Sequence, residues 1–182
     1  MAARRAILVA AAAALLAGAA PESDLARGAE ILAPFKERLQ AALRAGLARG
    51  PAEAIEACRS EAPEIAASLS REGVRVGRTS HRLRNPANAP PAWAAPLLEE
   101  FVADPAARAP RVVRLGDARR GYVEPILMQP LCVTCHGDAV PEAVAAKLAE
   151  LYPEDRAVGF AVGELRGLFW AEFPAAAGGD PR

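Results

Sequence analysis

Cys132-Val133-Thr134-Cys135-His136 is the stretch from which the rest of the chain is best read. Its C-x-x-C-H spacing is the attachment signature of c-type haem. Two thiols three positions apart can add across the two vinyl groups on one edge of a porphyrin. The histidine that follows then falls beneath the ring, placed for one axial position on iron. Val133 and Thr134 are small enough to lie flat against the macrocycle edge. Gly137 lets the backbone leave that edge without a side chain in the way. Two other readings share part of the pattern. A thioredoxin-type dithiol uses C-x-x-C and leaves His136 adjacent by chance. Half a zinc site would want further ligands at motif spacing, and three cysteines and two histidines in all leave few.

The N-terminus agrees with haem attachment, which belongs to exported proteins. Arg4 and Arg5, the apolar run from Ile7 to Ala20 and the small-x-small Ala17-Gly18-Ala19 read as a secretory signal peptide over residues 1–19. That predicts a periplasmic protein. The run is too short and too weakly hydrophobic for a comfortable membrane span, and no cysteine follows the cleavage site to carry a lipid anchor. Residues 20–174 suit one domain with a single core. Residues 175–182 are Ala/Gly/Pro-rich and read as a flexible tail. The 22 basic and 22 acidic residues cancel, which excludes a general binder of nucleic acid or membrane surfaces.

Taken in order, the chain begins with helices. Ser23 or Asp24 can cap a helix from Leu25 to about Leu47, with Ile31, Leu32, Phe35, Leu39 and Leu43 at helical spacing and Pro34 as a possible kink. A second helix runs from Ala52 to about Ser70, bent before Pro63. Ile55, Cys58, Ala62, Ile65 and Leu69 share one face of it. Val74 to Ser80 alternates like a strand, and Asn85 to Pro91 is an ordered loop. Trp93 to Phe101 is a short helix. Val112–Leu115 and Tyr122–Glu124 are strands, with Pro125 and Pro130 bracketing an extended lead-in to the motif. Pro141 opens a helix to Leu151. Val158–Val162 and Leu168–Phe173 are read as strands joined by a hairpin-like turn. Helices first, then strands with helices between them, make an α+β domain on an antiparallel sheet.

His136 takes one axial position, and the other is open to argument. Met128 lies so close to Cys132 that it is tethered to the proximal edge and reads as core. His81, between Ser80 and Arg82, reads as solvent-facing but offers an imidazole. Cys58 is the cysteine left over by the motif, on the apolar face of its helix, and chemistry alone leaves it open between iron ligand and small core residue. Arg78 shares strand parity with Val74 and Val76. It therefore points inward, where an anion such as a haem propionate would meet it. Arg84 is a second candidate by its place in the loop; a solvated basic face is the competing reading for the arginines from Arg71 to Arg84.

Several stretches together resemble one family. They are Cys58 within Ala-Ile-Glu-Ala-Cys-Arg-Ser-Glu-Ala-Pro-Glu-Ile-Ala, Val76-Gly77-Arg78-Thr79-Ser80, Arg84-Asn85-Pro86-Ala87-Asn88 ahead of Trp93, the Cys-x-x-Cys-His-Gly run, and Leu151-Tyr152-Pro153-Glu154-Asp155-x-Ala157-x-Gly159-Phe160. The family is that of PAS-like c-type haem domains, small exported proteins or sensory modules, and the resemblance spans about Leu25 to Phe173. It implies a PAS-like antiparallel sheet with a long N-terminal helix and flanking helices. It also implies one haem c with His/Cys axial ligation, here by His136 and Cys58. The chain departs from the family in Ala92 and Ala94 beside the tryptophan and in the presence of His81.

Three functions compete. A haem-based redox or small-ligand sensor, responsive to a diatomic gas or a periplasmic signalling partner, suits a low-potential thiolate-ligated iron, because thiolate donation lowers the potential that Met/His ligation raises. A periplasmic electron-transfer cytochrome is permitted by the single haem and the small size. A peroxidase would need an acid/base residue in an open distal site and has only His81, so no enzymatic activity is expected.

Overall fold

A turn at 48–50 joins the first two helices, and the sheet is laid against them. The computed structural model describes residues 20–176. The signal-peptide reading and most of the tail lie outside the described residues. Helix α1 (Ala20–Leu47) and helix α2 (Pro51–Leu69) pack along each other, with Pro51 in the first turn of α2, where its missing N–H costs nothing. Both helices run unbroken through Pro34 and Pro63. No helix among the described residues is long and apolar enough to cross a membrane.

Four strands follow: β1 (Arg75–Thr79), β2 (Arg111–Arg114), β3 (Arg119–Leu127) and β4 (Leu165–Pro174). They form one antiparallel sheet in the order β1-β4-β3-β2, so the last strand of the chain lies between the first and the third. Side chains alternate across it. Val76, Tyr122, Ala171 and Phe173 face α1 and pack on Leu32 and Phe35. Val123, Leu168 and Trp170 face helix α3 (Ala95–Ala103), packing on Leu97, Leu98 and Phe101. Gly28 of α1 has the Tyr122 ring against it; a Cβ there would come within 2.4 Å of the ring, so only glycine lets α1 lie this close to β3. Two further helices, α4 (Val133–His136) and α5 (Glu142–Leu151), carry the cysteine motif and close one end.

The differences from the sequence reading have local causes. Asp24 is not a cap: it lies inside α1 and pairs with Arg120 of β3 at 2.7 Å. Trp93 precedes α3 rather than opening it. Strand β3 runs on through Pro125, which sits beyond the end of β2 on an open edge, where a residue without an N–H is tolerated. Residues 158–162 are no strand. Left-handed backbone at Gly159 (φ 74) and Gly163 (φ 87) breaks the pleat, and Gly159, Phe160 and Gly163 donate instead to the carbonyls of Gly137, His136 and Met128.

β4 starts with a register shift: Ile126 pairs with Gly167 and Leu127 with Leu165, which leaves Arg166 as the extra residue of a bulge. Gly167 is required there, since a Cβ would stand 2.0 Å from the Thr79 carbonyl oxygen. Gly167→Ala is therefore expected to destabilise the fold by about 1–3 kcal/mol, the range for forcing excess volume into a packed core. A urea titration checks this, and a midpoint equal to that of the parent would show that the strands separate freely.

Candidate functional site

The motif stands where two small cores meet. A short turn over Pro130–Cys132 and the single turn of α4 present Cys132, Cys135 and His136. Cys132 and Val133 touch buried Met128, Ala157 and Phe160, while Cys135 touches Ile55, Val144, Leu148 and Tyr152 across α2 and α5. All three cysteines are unpaired thiols.

Between the motif, the two long helices and the sheet lies a cavity of about 800 Å³. Its size falls in the range of small-molecule and cofactor sites. Apolar side chains of α1 and α2, Phe35, Leu39, Leu43 and Ile55 among them, form one wall. Ile126, Leu127 and Phe169 of the sheet form another. Cys58 from α2 and Cys132, Cys135 and His136 from the motif all line it. So do Arg78 and Arg84. His81 does not line it; it is exposed and meets Phe160 edge-on at 5.7 Å between centroids. Met128 is 1% exposed and belongs to the core.

His136 is held at one nitrogen. Its Nδ1 lies 2.6 Å from the Ala157 carbonyl oxygen, and as donor there it leaves Nε2 as the bare lone pair. Phe160 stands edge-on to the ring at 6.4 Å. Burial, then the charges of Arg166 and Arg84, push the imidazole pKa down to about 3, against a smaller upward pull from the Ala157 hydrogen bond. The ring is therefore neutral over the physiological range, the form that can bind a metal. Burial also raises the Cys135 thiol pKa, with nearby Arg84 opposing it.

The charges are unbalanced. Arg84 is satisfied: Nε donates to Asp155 at 2.9 Å, and Nη2 to the carbonyls of Cys135 at 2.5 Å and Ala157 at 3.2 Å. Arg166 donates to Ser80 Oγ at 2.7 Å and to the Arg82 carbonyl, and its pKa falls to about 9 through burial and the neighbouring Arg78 and Arg84 charges. The Arg78 guanidinium makes no hydrogen bond or ion pair among the described residues. Asp155, already paired with Arg84, is the carboxylate that also acts on Arg166. A buried surplus of this kind suits a guest that brings acid groups of its own.

Arg166 and Asp155 were not singled out from the sequence. Arg166 lies in what reads as a turn, and only the bulge turns it toward the cavity. Asp155 contacts Arg84 across 71 positions, a separation no local pattern reports.

The donor set fits a haem. Two thiols on one loop, a neutral imidazole with Nε2 free, an apolar slot and unneutralised arginines answer in turn to the vinyl edge, the iron, the macrocycle and the acidic substituents. A family model described as Tll0287-like matches residues 20–174. Among solved structures the chain is similar to the cyanobacterial haem protein Tll0287, at 30% identity and a TM-score of 0.51, over 66% of this chain and 73% of that one. None of the curated proteins matches the chain. The likeness extends to the fold, the PAS-like α+β arrangement implied by the sequence resemblance.

Proposed function

The chain belongs to the Tll0287-like family, and from that premise we propose that it is an exported protein carrying one covalent haem c and acting as a redox or small-ligand sensor. Cys132 and Cys135 would form the thioethers, and His136 Nε2 and the Cys58 sulfur would be the iron ligands. The observation that carries this is the convergence of Cys58, from α2, with the motif residues on one apolar cavity. The haem would supply a one-electron couple and a place for a diatomic ligand. The protein supplies the rest. Arg78 would offer its unshared guanidinium to an acidic substituent of the group, Arg166 would add positive charge, and the apolar walls would keep water from the centre.

Sensing is favoured by where Cys58 sits. It is part of α2, and α2 packs along the whole-domain helix α1. A bond made or lost at Cys58 therefore acts on the helix pair, whereas His136 is fixed to the loop at Ala157. The second reading is an electron-transfer cytochrome. It is favoured by Leu131, which lines the cavity and is 54% exposed beside Cys132, a partly apolar edge that a redox partner could approach.

Cys58→Ser tests the assignment. The holoprotein should keep its covalent haem. Its ferric optical and EPR spectra should change from low-spin to high-spin or water-ligated, and its midpoint potential should rise, because a strong anionic donor is gone. Unchanged ferric spectra and potential would reduce Cys58 to a core residue. The parent's potential separates the readings: a low value with a Cys58 bond lost on reduction suits a switch, a reversible couple with unchanged ligation suits a carrier.

A further inference from the structure

We propose that Arg84 and Asp155 are positioning residues for His136 and together set how strongly its imidazole donates to bound iron, an inference that rests on the haem reading above. The geometry is a closed ring of hydrogen bonds. His136 Nδ1–H donates to the Ala157 carbonyl at 2.6 Å. That oxygen also accepts from Arg84 Nη2 at 3.2 Å. The same Nη2 donates to the Cys135 carbonyl, one residue before the histidine. Arg84 Nε donates to Asp155 Oδ2 at 2.9 Å, and Asp155 Oδ1 accepts the Ala157 N–H at 2.7 Å. Thus the carboxylate holds the Ala157 backbone by its nitrogen while the guanidinium holds it by its oxygen. The two side chains are 13% and 10% exposed, so water competes little for these bonds.

A plain structural ion pair needs none of the remaining contacts. Here the pair grips the residue that orients the ligand histidine and the backbone of the adjoining attachment cysteine. The consequence is electronic as well as steric. The partner of a ligand histidine's second nitrogen raises the basicity of the ring. A carbonyl that also accepts from a guanidinium has less acceptor strength left for Nδ1–H. Arg84 therefore moderates the donor power of His136 while Asp155 keeps the shared residue in place. Loosening either lets the Ala157 oxygen serve the imidazole alone, which strengthens donation and favours the oxidised metal.

Charge-conserving variants of the holoprotein isolate this effect from the field of the side chains. Arg84→Lys keeps the charge but cannot make the fork. Asp155→Glu keeps the charge but displaces the guanidinium. Haem content is first read by mass; a parent without covalent haem overturns the function proposed above and is recognised at that step. Both variants are then expected to shift the ferric/ferrous equilibrium about tenfold toward the oxidised form, ~59 mV downward for a one-electron couple. Both should also change the g-value spread of the ferric EPR spectrum. If Arg84→Lys fails to mature, Asp155→Glu is read alone. A midpoint and g-values equal to the parent's, even with a lowered melting temperature, would leave the pair a structural clamp and overturn the proposal.

Discussion

Replacing Cys132 and Cys135 together by alanine should give a protein with the mass of the polypeptide alone and a markedly lower melting temperature. The first half follows from the chemistry of the motif: without the thiols nothing survives acid-acetone extraction. The second follows from the cavity. Its walls come from α1, α2 and three of the four strands. Emptied, it leaves Phe35, Leu39, Ile55 and Phe169 facing space or water instead of a packed guest. Binding free energy lost in this way is folding free energy lost. A loss comparable to truncating a large core side chain, about 3–5 kcal/mol, is expected. For a domain of this size that corresponds to a fall of roughly 6–20 °C. Mass spectrometry and thermal melts of parent and variant read both halves. An equal melting temperature would mean that the cavity does not need its guest.

Arg120→Ala should cost about as much, for a different reason. Arg120 and Asp24 are 10% and 9% exposed and 2.7 Å apart, and they tie the start of α1 to β3. Removing one member leaves a buried carboxylate without its counter-charge, a change that costs about 3–5 kcal/mol. Removing both together, as Asp24→Leu with Arg120→Met, should recover most of that loss, since no charge is then stranded. Urea midpoints of the parent and the two variants form the test. A double variant no more stable than Arg120→Ala would show that the pair contributes through attraction rather than through mutual shielding.

The contrast between these two sites explains what was legible in the sequence. The Cys132–His136 motif is local, and its spacing alone points to a haem. The helices are local too, and the face bearing Ile55 and Cys58 was found by periodicity. Strand parity was enough to aim Arg78 inward. Asp24 misled because an acidic residue near a helix start has a local use as a cap, while its actual partner lies 96 positions away. Val158 to Val162 reads as a strand with Gly159 inside it and Gly163 opening the turn beyond; the left-handed backbone at both glycines sends that segment to the motif instead. Arg166 reaches the cavity through a bulge, which depends on how two strands are registered and not on either one alone. Pairings made only by the finished fold were the ones missed.

The strand order holds a consequence for how the molecule comes into being. β1 has no partner except β4, and β4 is the final element of the described chain. A chain emerging N-terminus first can form the α1–α2 hairpin early, from neighbours in sequence. It cannot join β1 to β3 until Leu165–Pro174 has appeared. Through that interval Cys132, Cys135 and His136 are already out, attached to a half-made sheet that has not yet shut over them. The topology thus sets a window, ended by the arrival of the last strand, in which the two motif cysteines are accessible to whatever modifies them.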